Sequence, residues 1–182
     1  HSNANNKIKA KLAIRDAAIL YDKDFPIVQN INIDATIDNN QINAAILQGN
    51  SNKLNITKGS VSFNLLDEEQ DRLIKILTTV AGPSTSINDF LAAKQKKQLQ
   101  EHGIDFSKSK GDASAEIMLN IPLPEEKKTE MRINGSISKL RMKLLSNTID
   151  LASDVDFTVL NDTISFTGKG FANNFKTTIE YK

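Results

Sequence analysis

The sequence predicts a mainly β protein whose antiparallel strands form two similar arrays with one helix between them. Apolar and polar residues alternate with a period of two over most of the 182 residues, and short turn-forming segments separate the alternating stretches. Such alternation is typical of strands that bury one face. Only one stretch has helical features, and it lies near the middle of the chain.

The first strand array is expected to span residues 7–82. Apolar residues alternate from Ile8 to Ile14 and from Ile31 to Ile37, and the turn formers Asp38-Asn39-Asn40 predict a hairpin that returns through residues 41–48. Residues 72–80 fit a strand or a helix, and the surrounding rhythm favours a strand. Residues 1–4 are interpreted as the remnant of a purification tag, which makes the chain a fragment of a longer protein.

The helix is predicted from Ser86 to about Glu101, followed by a connector, so that helix and connector together cover residues 84–111. Ser86 and Asp89 have the spacing of a capping box, and Gly103 is a suitable stop signal. Ile87, Phe90 and Leu91, with Leu99, form its apolar stripe. Residues 104–111 are expected to be an exposed connector.

The second array is expected over residues 112–182, so that residues 5–182 form a single β domain. Its strands end at Pro-containing or charged turns, as at Pro122 and at residues 125–129. The alternating segment 31–37 resembles the segment 131–137, which indicates an internal repeat. Repetition of this kind favours an elongated sheet that grows by adding hairpins.

Composition and motifs argue against several classes of function. The net charge is +1, which predicts no nucleic-acid partner, and the chain contains no cysteine. No apolar run approaches the roughly 20 residues of a membrane span. His102 is expected to be a surface residue, and the acidic segment 67–71 a solvated turn rather than a metal site. We therefore expect no catalytic residues, no metal, no cofactor and no enzymatic activity.

Two features allow two interpretations each. The apolar strand faces could close into a β-sandwich core, which composition alone favours, or could line one curved sheet whose concave face accommodates lipid. The helix, with Lys94, Lys96 and Lys97 on its later turns, could contact lipid head groups. Its short apolar stripe favours the other interpretation, in which the helix covers part of the sheet.

The central stretch resembles a recurrent signature of the AsmA-like superfamily, and more closely of the YhdP-type branch of large Gram-negative envelope proteins. The signature residues are Val80-Ala81-Gly82-Pro83, the helix with Phe90-Leu91, Gly111, and the strand that ends in Leu119-Asn120-Ile121-Pro122-Leu123. The segment Ala17–Tyr21, with Phe25-Pro26 and the strand that follows, is also similar to that family's repeat. The long basic segment 94–110 departs from the family pattern.

The resemblance implies an elongated, curved, taco-like sheet that forms a periplasmic groove. In the full-length protein this groove would be anchored in the inner membrane by a segment outside the fragment, and would bind or conduct phospholipid acyl chains between the inner and outer membranes. The alternative is a β-sandwich adhesion or assembly module that binds a protein partner. Exposed sheet edges could also let the fragment self-associate. The side chains expected to line the groove are Ile31, Ile33, Ile37, Ile42, Ile46, Leu54, Ile56, Val61, Phe63, Ile117, Leu119, Ile133, Val155 and Phe157.

Overall fold

A computed structural model describes residues 8–20, 26–64, 72–91, 93–123, 128–145, 147–161 and 163–182. They form one open antiparallel sheet of ten strands, in which each strand pairs with its neighbours along the chain. The strands are β1 (Lys9–Ile19), β2 (Val28–Asp38), β3 (Gln41–Ser51), β4 (Leu54–Asn64), β5 (Leu73–Pro83), β6 (Lys110–Pro122), β7 (Glu130–Leu144), β8 (Ile149–Leu160), β9 (Thr163–Ala172) and β10 (Phe175–Tyr181).

The predicted fold class is confirmed, since the chain forms an open, groove-like antiparallel sheet with its helical segment between two groups of five strands. The β-sandwich alternative is wrong, because all ten strands belong to a single sheet. Residues 72–80 form most of β5, as predicted. The tag residues 1–4, Tyr21, Phe25, the acidic segment 67–71 and the turn that follows Pro122-Leu123 from Pro124 to residue 127 lie outside the described residues.

Irregularities in strand pairing explain how the sheet curves. Register shifts occur in β1 and β2, beside Ile56 in β4, beside Gly111 in β6 and between Ile137 and Leu140 in β7. All of them lie in the half of each strand that is nearer to the segment joining β5 and β6. A bulge bends its strand and increases the local twist, so a line of bulges bends the whole sheet.

The segment between β5 and β6, which we call the insert (residues 84–109), consists of three short helices. A 3-10 helix spans Ser84–Phe90, helix α1 spans Ala93–Glu101, and a second 3-10 helix spans Phe106–Lys108. Helix α1 ends at Glu101, and in the turn that follows Gly103 has a φ of +72°, as the predicted stop requires.

The prediction of one continuous helix from Ser86 is wrong. Leu91 has an extended backbone (φ −89°, ψ 135°), which separates the first 3-10 helix from α1. Ser86 lies inside that 3-10 helix rather than at its start, and the residue at the start is Pro83, which provides no side-chain cap. The capping box therefore does not form. Ile87 and Leu91 pack beside Leu54 at the start of β4, whereas α1 reaches the turn after β8 through Gln95.

The prediction that residues 104–111 form an exposed connector is also wrong. The side chain of Phe106 is only 2% exposed, and its ring lies 5.4 Å from the ring of Phe166, measured between centroids. Ile104 packs against the same core. A single aromatic residue among Asp, Ser and Lys creates no periodic pattern, so the sequence gives little indication that it is buried.

The structure explains why two positions of the family-like signature are occupied by glycine. A Cβ on Gly82 would lie 2.5 Å from the carbonyl oxygen of Lys53 and 2.8 Å from a methyl carbon of Leu54, so only glycine lets the β3–β4 turn approach β5. Gly111 has a φ of +140°, and a Cβ there would lie 2.8 Å from the carbonyl oxygen of Ser138. Such a conformation is strained for other residues.

Replacing Gly82 by Ala is therefore expected to destabilise the fold by about 1–3 kcal/mol, because a backbone atom is in the way and cannot move without shifting the turn. Urea unfolding measures the change. Gly49→Ala is the matched control: its new methyl group would meet only side-chain atoms of Ile56 and Ile31, at 3.1 and 3.3 Å, and should cost less than about 1 kcal/mol. Equal losses in the two variants would contradict this account of the signature.

Candidate functional site

One face of the sheet carries the regular apolar residues of all the strands. Directly opposite residues in paired strands project to the same side, and successive residues project to opposite sides. The register places Ile33 opposite Ile46, and Ile117 opposite Ile133. Continued from pair to pair, this register defines an apolar face that extends from β1 to β10.

All fourteen residues predicted to line a groove lie on this apolar face, and none of them belongs to the exposed class. They fall into three groups with different surroundings. Some are part of a large core beneath the insert: Leu54, Ile56, Ile117, Ile133, Val155 and Phe157. Ile31, Ile33 and Ile46 belong to a smaller cluster on β1 to β3. Ile37, Ile42, Val61, Phe63 and Leu119 belong to neither cluster and remain half-buried.

The insert covers a part of the apolar face to which strands from β4 to β10 contribute. Ile87, Leu91, Leu99 and Phe106 are buried in the same core as residues of β5 to β9. On α1, Gln95 and Leu99 are buried, whereas Lys94 and Lys97 are exposed. The helix is therefore positioned as a cover with its charged side toward solvent, which was the structural interpretation that its short apolar stripe favoured.

The insert leaves a continuous strip uncovered on β2 to β6. This strip lies at the strand ends that are farther from the insert. Two cross-strand rows build it: Ile37 lies opposite Ile42, which lies opposite Phe63, and Val61 lies opposite Ile76, which lies opposite Leu119. Ile74 and Ile121 form a further pair. We call these half-buried residues the open strip: Ile37, Ile42, Val61, Phe63, Ile74, Ile76, Leu119 and Ile121.

Polar contacts fasten the insert to the sheet at a few points. Ser109 Oγ donates to the carbonyl oxygen of Phe106 at 2.8 Å, so the 2.7 Å contact between the buried hydroxyls of Ser84 and Ser109 uses the proton of Ser84. Gln95 Nε2 donates to the carbonyl oxygen of Asn161 at 3.1 Å. The bond between Ser84 and Ser109 joins the two ends of the insert to each other, and the bond of Gln95 joins its middle to the turn between β8 and β9.

Among the described residues, Ser86 is the exception to this pairing of buried polar groups. Its hydroxyl oxygen is buried and has no hydrogen-bond partner in that part of the chain. A buried hydroxyl without a hydrogen-bond partner lowers the free energy of unfolding. A hydrogen bond to the hydroxyl offsets this loss.

The carboxyl group of Asp105 orders the last part of the insert. It accepts a hydrogen bond from the backbone N–H of Ser107 at 2.9 Å and thereby caps the 3-10 helix that carries Phe106. Hydrogen bonds from the side chain and backbone of Ser107 lower the pKa of Asp105, Asn88 and Lys108 act in the same direction, and burial opposes them.

His102 lies on the surface, as expected. It is exposed, its Nδ1 is 2.8 Å from the carbonyl oxygen of Gln98 in the last turn of α1, and its ring meets the edge of Tyr181 at 5.5 Å between centroids. In the part of the chain that the structure describes, no three His, Cys, Asp or Glu residues are close enough to share a metal ion. Among the same residues, no helix has the length and apolar character needed to cross a bilayer.

These features can be compared with known proteins. The family model of the YhdP protein matches residues 1–177. The chain belongs to the YhdP protein family. No curated protein and no solved structure shows significant similarity to the chain. Membership confirms the resemblance seen in the Gly82-Pro83 and Gly111 signature, and it supports a role in lipid transport in the cell envelope.

The sequence alone did not identify every residue of the open strip. Ile74, Ile76 and Ile121 were assigned to strands but not to the candidate site, although their alternation with Lys75, Leu77 and Asn120 was visible. The signal that could have found them is pairing: each lies opposite another apolar residue across β5 and β6. The sequence of the strands gives no indication of which strand residues the insert covers.

Replacing Ser84 by Ala is expected to lower the free energy of unfolding by about 1 kcal/mol, because the buried hydroxyl of Ser109 loses its donor. Ser86→Ala, two residues away and equally buried, should leave stability unchanged or raise it, because it removes an unpaired hydroxyl. Chemical denaturation of both variants tests the pair. A larger loss in Ser86→Ala would contradict the assignment.

Replacing Asp105 by Ala is expected to cost about 0.5–2 kcal/mol at neutral pH, as the loss of a helix cap does. Because folding lowers the pKa of this carboxyl, its stabilising effect is complete above the ordinary value of 3.8 and is lost as the pH falls through the lower folded value. The difference between Asp105→Ala and the parent protein should therefore shrink in strong acid. Asp156→Ala, on the exposed face of β8, should show little change at any pH.

Proposed function

We propose that the open strip binds the acyl chains of phospholipids, with their head groups in water, and that the chain is one segment of a periplasmic bridge between the inner and outer membranes. In the full-length protein this bridge would be anchored in the inner membrane. Family membership supports the broad role, and the resemblance of the central stretch to AsmA-like proteins supports the periplasmic bridge.

The observation that carries the proposal is the open strip itself. Eight half-buried aliphatic and aromatic side chains lie side by side on β2 to β6, next to the part of the same face that packs against the insert. Each methylene group that leaves water contributes about 0.8 kcal/mol. Ten methylene groups held on the strip would thus contribute on the order of 8 kcal/mol, from which the cost of immobilising the chain is subtracted.

The chemistry of the open strip favours a role in lipid transport rather than a role in catalysis. Its side chains are hydrocarbon, with no group that could act as an acid, a base or a nucleophile. We therefore propose that the segment is not an enzyme and works without a cofactor. Binding by apolar contact alone also suits transport, because no specific polar bond has to break when a lipid moves along the face.

The direction of the groove follows from the sheet. The two rows of the strip run across the strands, so strands added beyond β1 would extend the apolar face on which the strip lies. Both edges carry exposed apolar side chains, such as Leu12 on β1 and Phe175 on β10. We propose that each edge can pair with a further strand, and that the isolated segment can self-associate in the same way.

The acyl-chain proposal is tested by a pair of substitutions on neighbouring residues of β4. Val61→Asp places a carboxylate in the middle of the strip, whereas Ser60→Asp places the same charge on the opposite, exposed face. Because a charge in an apolar contact is costly, Val61→Asp should reduce the phospholipid that copurifies with the protein by about ten-fold, and Ser60→Asp should leave it unchanged.

Native mass spectrometry of protein expressed in a lipid-containing bacterial host measures that phospholipid directly. Circular dichroism checks that both variants keep the β-sheet signal of the parent protein. Equal lipid content in the two variants, or no lipid on the folded parent protein, would rule out the open strip as the binding surface.

A further inference from the structure

A cleft lies away from the open strip, at the end of the sheet where the insert meets the turn between β7 and β8. Its volume is about 830 Å³. The backbone N–H of Leu145 in that turn donates to the carbonyl oxygen of Gly103 at 3.2 Å, which fixes one wall of the cavity against the insert. The ends of β6, β7, β8 and β9 form the other walls.

The cavity is rich in cationic side chains. Lys108, Lys110, Arg141 and Lys143 line it, and the acidic residues among the lining are Asp105 and Asp150. Lys143 and Asp150 pair with each other at 3.7 Å. Asp105 is occupied by its hydrogen bonds to Ser107 and Asn88. Within the described residues, Lys108, Lys110 and Arg141 form no ion pair.

The arrangement of two of these cations is unfavourable in the unliganded protein. Lys110 on β6 lies directly opposite Arg141 on β7, and both side chains are exposed. Like charges directly opposite each other across two strands destabilise a sheet. An anion between them would convert this repulsion into two attractive contacts.

The same cross-strand row also provides room for a ligand. Arg141 lies opposite Ala152 on β8, and Ala152 lies opposite Phe171 on β9, whose side chain is 53% exposed. Neighbouring strands are about 4.8 Å apart, so Arg141 and Phe171 stand roughly 10 Å from each other across the small alanine. The methyl group of Ala152 thus forms a floor between a guanidinium group and an aromatic ring.

We propose that this cleft binds a phosphate group, with Arg141, Lys110 and Lys108 as its cationic ligands. Four cations and two carboxylates leave a formal charge of +2 in the cleft, which matches the charge of about −1.5 to −2 on a phosphate monoester at neutral pH. The guanidinium group of arginine binds two phosphate oxygens at once, and lysine adds a point charge. The lining of the cleft contains none of the eight residues of the open strip, so the cleft and the strip are separate sites.

The probes are inorganic phosphate and glycerol 3-phosphate, added to isotope-labelled protein at constant ionic strength and followed by NMR. Saturable shifts are expected for the amides of the lining residues. The variant Lys110→Gln with Arg141→Gln should bind at least about ten-fold more weakly, because two charge-assisted contacts are lost. The control Lys11→Gln with Arg132→Gln removes the same charge from exposed positions of β1 and β7 outside the cleft, and should bind normally.

Vesicles of phosphatidylcholine with and without phosphatidylglycerol identify the source of the phosphate. Cosedimentation that requires phosphatidylglycerol and is lost in the cleft variant assigns a lipid head group. Binding of the soluble probes without this preference assigns a free phosphate ester. Either result supports the cleft. The proposal is overturned if chloride produces the same shifts, if neither probe nor vesicle binds, or if the cleft and control variants bind equally.

The proposal for the open strip and the proposal for the cleft can be contradicted independently of each other. Val61→Asp alters the open strip alone, so it should bind phosphate as the parent protein does even though it carries less lipid. Conversely, the cleft variant should keep its copurified acyl chains. Removing Lys110 and Arg141 should also leave stability unchanged or slightly higher, because their mutual repulsion disappears.

Discussion

The fold depends on one constraint: a single open sheet has one large apolar face and, among the residues that the structure describes, one short insert to cover it. A sheet in a soluble protein usually buries such a face against a second layer. Here the second layer consists of residues 84–109, and it shares a core with strands from β4 to β10. The half of the face contributed by the earlier strands forms only a small cluster around Ile31, Ile33 and Ala35. Coverage, rather than strand formation, therefore decides which part of the molecule is core.

Curvature of the sheet reduces the area of the apolar face that is exposed to water, but it does not bury the whole face. The aligned irregularities in β1, β2, β4, β6 and β7 bend the strands and increase their twist, which curves the sheet. Many of the residues that permit the bends and turns are asparagines. Ten described residues other than glycine have positive φ, and seven of them are Asn: Asn30, Asn39, Asn52, Asn147, Asn161, Asn173 and Asn174. An abundance of Asn that looks like a bias of the coding sequence thus has a conformational use, because Asn tolerates the left-handed region.

Period-two alternation predicted the strands well, because each residue's side of the sheet follows from its parity along the strand. It also placed all fourteen candidate residues on one face. It could not tell Val61, which stays half-exposed, from Phe157, which lies in the core, since that difference is made by the insert. The insert was hard to predict because its break at Leu91 and the burial of Phe106 depend on the shape of the sheet below them, and neither leaves a periodic signal.

The partial cover explains how an uncovered strip can persist in a stable protein. The buried cluster that joins Leu99 and Phe106 to the later strands supplies the stabilisation, while β2 to β6 share the same backbone ladder and are held in place by it. A net stability of only about 5–15 kcal/mol leaves little room for an exposed apolar surface without such support. A second helix over β2 to β6 would bury the strip and increase stability, but it would also occupy the surface on which an acyl chain can lie. The length of the insert therefore sets the balance between core and groove.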